Sequence, residues 1–180
     1  MNDDKTKYGV AGPWDNEPDQ EHFEHMGYPC KMKRNGTGIW CGYVGVPESH
    51  PWHGKKYTDD VPVSQGTIDR QFDMEKVSTL SMLCQDQNEL ESGSLQICLA
   101  VNAHGGLTYS GAGPNDSGHS DWYFGFDCGH YGDLIPKFLA DKIAFDGDYR
   151  NAEYVRDECK NLAVQLAAFD SRCNVGGDDE

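Results

Sequence analysis

Three of the seven histidines, His104, His119 and His130, fall between residues 102 and 133. The same window holds eight of the 21 glycines, together with Tyr109, Trp122, Tyr123, Phe124, Phe126 and Tyr131. Glycine lets backbone approach a ligand, aromatic rings make walls, and imidazole moves protons near neutral pH. That combination suits a site. Tight turns between aromatic core strands would give the same composition.

Within the window, His104-Gly105-Gly106 directly precedes an apolar stretch, so the ring can project into a cleft beside flexible backbone. The alternative is a histidine hydrogen-bonded in a turn. Asp127-Cys128-Gly129-His130 ends a second apolar stretch, and Asp127 and Cys128 point to opposite faces if 122–128 is a strand. A carboxylate beside an imidazole fixes its tautomer and raises its basicity, as a general base or a metal ligand requires. Asp133 is read as the N-cap of a helix starting at Leu134. His50-Pro51-Trp52-His53 adds two imidazoles on a loop, without the spacing of a zinc motif. Cys128 with His104 or His130 is the weaker, nucleophilic reading. Phosphate-loop, dinucleotide, nucleophile-elbow and calcium-loop motifs are absent from the sequence.

The elements that must position these groups follow from periodicity. Val155, Cys159, Leu162, Leu166 and Phe169 step by 4, 3, 4 and 3, which predicts one face of a helix, with Asp148 as its N-cap and Gly176-Gly177 ending it. Strands are predicted at 39–46, 95–101, 107–110 and 122–128. Residues 73–91 show helical spacing, weakened by Ser78 and Thr79. Residues 1–26 carry seven acids, two lysines and two helix-breaking prolines, and read as an irregular acidic arm that Trp14, Phe23 and Tyr28 could pin to the body. The expected architecture is a single α+β domain over 27–175, a mostly antiparallel sheet covered by a long C-terminal helix, followed by an acidic tail at 176–180.

Composition narrows the partners. With 180 residues the chain suits one domain, and a net charge of −15 disfavours nucleic acid and anionic membranes in general. No apolar run approaches the roughly 20 residues of a membrane span. The polar start, MNDDKTKYGV, has no signal-like apolar region, so the expectation is a cytoplasmic protein with reduced thiols.

Several strings resemble those of a family of small uncharacterised proteins encoded by tailed bacteriophages: GPWDNEPD (12–19), GYPC (27–30), WCGYVGVPESHPWHGKKY (40–57), VNAHGGLTYSG (101–111), WYFGFDCGHYGD (122–133) and YRNAEYVRDECKNLAVQL (149–166). They span most of the chain; 62–97 matches least well. The resemblance implies a phage accessory protein working in bacterial cytoplasm and supplies no reaction. It favours His50 over His53, and it brings the polar residues Arg150, Tyr154 and Glu158 of the last helix toward the same site.

The leading expectation is therefore hydrolysis of a small phosphorylated or nucleotide-like ligand. His104, Asp127, His130 and His50 would be catalytic, with or without a divalent metal. Gly105, Gly106, Tyr109, Trp52, Trp122 and Arg150 would line the ligand. The alternatives are a non-catalytic binder that sequesters such a ligand in counter-defence, with a pocket at a homo-oligomer interface, and an acidic inhibitor of a host protein. The last would need a regular carboxylate stripe, whereas the acids concentrate in the arm, the middle segment and the tail.

Overall fold

The computed structural model describes residues 6–71, 93–113, 121–140 and 147–170. The expected helix over 73–91, His119 and the acidic tail lie outside them.

Five strands form an antiparallel sheet in the order β1-β2-β3-β7-β6: β1 (Gln20–His25), β2 (Tyr28–Arg34), β3 (Trp40–Val46), β6 (Tyr109–Ala112) and β7 (Trp122–Asp127). A two-stranded ribbon pairs β4 (Asp60–Pro62) with β5 (Ser94–Gln96). Short helices α1 (Gln65–Gln71), α2 (Ile97–Ala100) and α3 (Pro136–Ala140) fill the connections, and α4 (Ala152–Ala167) closes the fold. This is the expected α+β domain.

Alternation in β3 explains the main layer. Trp40, Val44 and Val46 share one face and are buried beneath α4, which presents Val155, Cys159, Leu162 and Leu166. Each such aliphatic side chain contributes about 1.5–3 kcal/mol by leaving water. Gly42 lies where helix and sheet approach most closely, because a Cβ there would meet Phe126 and the Cys159 sulfur. The other face is closed by Tyr123, whose ring carries the Lys31 ammonium, and by Tyr43 against Tyr109.

Several expectations change. The N-terminal segment is part of the domain: residues 20–25 are the edge strand, joined to β2 by a two-residue turn in which Met26 and Gly27 both take positive φ. Trp14 is buried, and Glu17 accepts from Arg34, from the Tyr149 hydroxyl and from the Trp40 indole. Opposite charges and indole burial fix a stretch that composition makes look loose. Residues 95–101 are a short strand followed by one helical turn, so their apolar run reflects burial from two elements. The cap of α4 is Asn151, whose side chain accepts from the Tyr154 amide; Asp148 is held instead in a parallel bridge with Asp133.

Candidate functional site

Asp133 is the centre of the site. It is buried, and three donors converge on its carboxylate: His104 Nε2 at 2.7 Å and the His130 amide at 3.0 Å on Oδ2, and Arg150 Nε at 2.8 Å on Oδ1. Burial pushes its pKa up, yet the bonds from Arg150, His104 and the His130 amide outweigh it, and the carboxyl titrates below its ordinary range. The reading of Asp133 as a helix cap is corrected. A capping carboxylate and a site carboxylate are the same residue type, and only the fold brings His104 and Arg150 to this one.

Asp133 is held by the parallel bridge, in which Leu134 N–H reaches the Asp148 carbonyl and Asp148 N–H reaches that of Gly132. His130 projects from the turn after β7, closed by Asp133 N–H to the His130 carbonyl. His104 comes from the loop after α2. Gly105, at φ +66°, passes so close to the His130 ring that any side chain there would collide with it. The two imidazoles stand 5.5 Å apart, centroid to centroid.

Hydrogen bonding sets the tautomer of His104. Its Nδ1 lies 2.8 Å from the Tyr154 hydroxyl. Burial and then the charge of Glu158 raise the Tyr154 titration, so the phenol keeps its proton at neutral pH. In the neutral ring, Nε2–H donates to ionised Asp133 and Nδ1 accepts from Tyr154. Both nitrogens of His104 are thus engaged. His130 differs. Its Nδ1 is buried, has no hydrogen-bond partner, and lies 3.9 Å from Asp133 Oδ2, while the side chain as a whole is 33 % exposed.

A cleft of about 500 Å³ opens beside His104, walled by Arg70, Asn102, Glu158, Asn161 and Gln165. Arg70 is exposed and makes no ion pair among the described residues. A second cleft, of about 470 Å³, lies between α1 and the end of α4; among the described residues Arg70 is the one titratable side chain lining it.

Of the four residues expected to be catalytic, the structure brings together His104 and His130. His50 is buried near the far end of α4, donating through Nε2 to the Leu166 carbonyl at 3.0 Å and accepting the Trp52 amide on Nδ1. Leu166 and Tyr154 are twelve residues apart on one helix, about 18 Å, so His50 belongs to the core. Asp127 shapes the turn instead: it accepts from the Gly129 amide at 3.0 Å and the Thr108 hydroxyl at 3.1 Å. Arg150 and Gly105 sit at the cluster, and Gly106 beside them has open space around it. Trp52 packs between His50 and Phe169, Trp122 donates to the Lys55 carbonyl, and Tyr109 donates to Ala112. None of these three rings stands in the histidine cluster. Cys128 is buried, and its thiol is pushed far up, first by desolvation and then by the Asp133 charge, which does not suit a nucleophile. Cys30, Cys41, Cys128 and Cys159 are free thiols.

Sequence reasoning missed Asp133 as a site group. The His130-x-x-Asp133 spacing was the available signal, since three residues bring both groups to one turn.

No helix among the described residues is long and apolar enough to cross a membrane. Comparison of the chain with protein-family models, curated proteins and solved structures finds no match.

Proposed function

We propose that the protein is a hydrolase for a small phosphorylated or nucleotide-like ligand, working as a phage accessory protein in bacterial cytoplasm. The observation that supports this most is the convergence of His104, His130 and Asp133, with His104 lining a cleft that also carries Arg70, an arginine with no ion pair among the described residues. Imidazole suits proton transfer at neutral pH. His130 is the base in this reading, because its ring is partly exposed, whereas both nitrogens of His104 are engaged. His130 takes a proton from water as the water oxygen bonds to phosphorus, and the phosphorus–oxygen bond to the leaving group breaks. Arg70 holds the phosphate, and Asp133 keeps His104 oriented.

The engaged state of His104 also favours a second reading, in which the rigid ring recognises a ligand that the protein sequesters without chemistry. One experiment separates the two. The purified protein is incubated with nucleotides, cyclic nucleotides and sugar phosphates, and the products are read by mass spectrometry. The hydrolase reading expects a product whose formation falls about 100-fold or more in His130→Ala. Stoichiometric recovery of a ligand unchanged in mass supports sequestration. Turnover retained in His130→Ala overturns the role of His130.

A further inference from the structure

We infer that His104 Nε2, His130 Nδ1 and Asp133 Oδ2 form a binding site for one divalent transition-metal ion. One ligand atom from each residue lies within 4.8 Å of the other two, and His104 Nε2 and His130 Nδ1 stand 2.7 and 3.9 Å from Asp133 Oδ2; His130 and Asp133 share one turn, and His104 comes from a distant loop. With Nδ1 on the ion, Nε2 of the neutral His130 ring carries the proton, so His130 serves as base only in the metal-free chain; the site goes beyond the hydrolase reading, because a metal can be held there whether or not a ligand is turned over.

Two independent observations point to an ion. The first is the buried Nδ1 of His130, which has no hydrogen-bond partner. A buried polar atom left unpaired is destabilising, so a native structure keeps one where something else meets it. This atom faces the Asp133 oxygen at 3.9 Å, too far for a hydrogen bond. The second is the layer behind the donors. Metal-ligating histidines engage their other ring nitrogen with an oxygen partner, and ligating carboxylates are themselves hydrogen-bonded. His104 Nδ1 meets the Tyr154 hydroxyl at 2.8 Å, and Asp133 Oδ1 takes Arg150 Nε at 2.8 Å. Both outer partners leave the inner atoms for the ion.

The donor set selects the metal. Two imidazoles with one carboxylate suit zinc, cobalt, nickel or iron, whereas calcium and magnesium prefer oxygen shells. Bonds of about 2.0–2.2 Å in a tetrahedral arrangement place ligand atoms about 3.4 Å apart. The His104–Asp133 separation of 2.7 Å would open by about 0.7 Å, and the His130–Asp133 separation of 3.9 Å would close by about 0.5 Å. In the metal-free chain a proton on His104 Nε2 bridges to Asp133, and the ion replaces it. Three protein ligands leave a coordination position open, which is the pattern of catalytic rather than structural sites.

The test uses the full chain, stripped with a chelator and titrated with cobalt(II) by visible absorption, then with zinc by calorimetry. The expected result is one equivalent bound, with the intense visible bands of four- or five-coordinate cobalt and no near-ultraviolet cobalt–thiolate band. Tyr154→Phe, which keeps the ring, should weaken binding about 10-fold or more through loss of the outer partner. His130→Ala should abolish the stoichiometric site, and His53→Ala should leave it unchanged. Weak six-coordinate spectra, a thiolate band, or full affinity in both Tyr154→Phe and His130→Ala would overturn the assignment. If His130→Ala does not fold, wild-type stoichiometry, the cobalt spectrum and Tyr154→Phe decide. Metal binding without turnover leaves this inference standing and removes the hydrolase reading; turnover in chelator with no metal bound does the reverse.

Discussion

Replacing Asp133 by asparagine keeps the side chain's shape and removes its charge. Three donors converge on the native carboxylate, one of them cationic. Hydrogen bonds to a charged group contribute about 1.5–3 kcal/mol each, but the three cannot simply be added. Asparagine retains one carbonyl oxygen, which still accepts from one side. Its amide then faces either His104 Nε2–H or Arg150, donor against donor. Arg150 is 27 % exposed, so water recovers part of its lost pairing. Breaking a fully buried pair costs about 3–5 kcal/mol, and these discounts bring the expected loss to about 2–4 kcal/mol. For a chain of this size that lowers the melting temperature by roughly 4–15 °C. Urea and thermal unfolding, followed by tryptophan fluorescence in chelator, read the change without any contribution from bound metal. Asp133→Asn melting within about 1 °C of wild type would show that the carboxylate is not the organising group described here.

Gly105→Ala should cost at least about 2 kcal/mol, from a positive-φ backbone plus collision with the His130 ring; denaturant unfolding measures it, and a neutral result would mean that the loop does not pass against His130. His50→Ala should destabilise the fold by about 2–4 kcal/mol, by leaving the Trp52 amide unpaired, removing the side-chain bond to the Leu166 carbonyl and opening a void. It should leave cobalt binding intact; loss of binding in a folded variant would return His50 to the site. Leu162→Ala, fully buried under the sheet-facing side of α4, should cost about 2–5 kcal/mol in the same assay. The Arg156 bonds hold the Glu21 carboxyl below its ordinary range, so its contribution is complete above about pH 4.3 and is lost as the pH falls through the lower folded value. Glu21→Gln should therefore be up to about 1 kcal/mol less stable at pH 7 and converge with wild type in acid; a gap that widens in acid would reverse the sign.

The most legible parts of the chain were those where local pattern and final burial coincide. The 4, 3, 4, 3 spacing from Val155 marks α4 because its apolar stripe is the face that packs on β3. The runs at 39–46 and 122–128 mark β3 and β7 because every residue of these central strands is buried or half-buried. Strand β1 was illegible for the converse reason. Its side chains alternate between exposed and half-buried, and what makes it a strand is pairing with β2 through a turn that places a methionine at positive φ. His104 and His130 stood out through their glycine-rich surroundings, and those glycines do let the two rings approach. Asp133 and His50 were exchanged in role. Whether a carboxylate caps a helix or gathers two histidines, and whether an imidazole enters the core, depends on contacts between residues far apart in the chain.

The most direct test of the account is a crystal structure of the full chain soaked with zinc or cobalt, with anomalous differences collected at the metal edge. One principal peak is expected, about 2.0–2.2 Å from His104 Nε2, His130 Nδ1 and Asp133 Oδ2, with the Tyr154 hydroxyl and Arg150 still holding the outer atoms. A principal peak on the cysteines or on other histidines, or none between these three side chains, would contradict it.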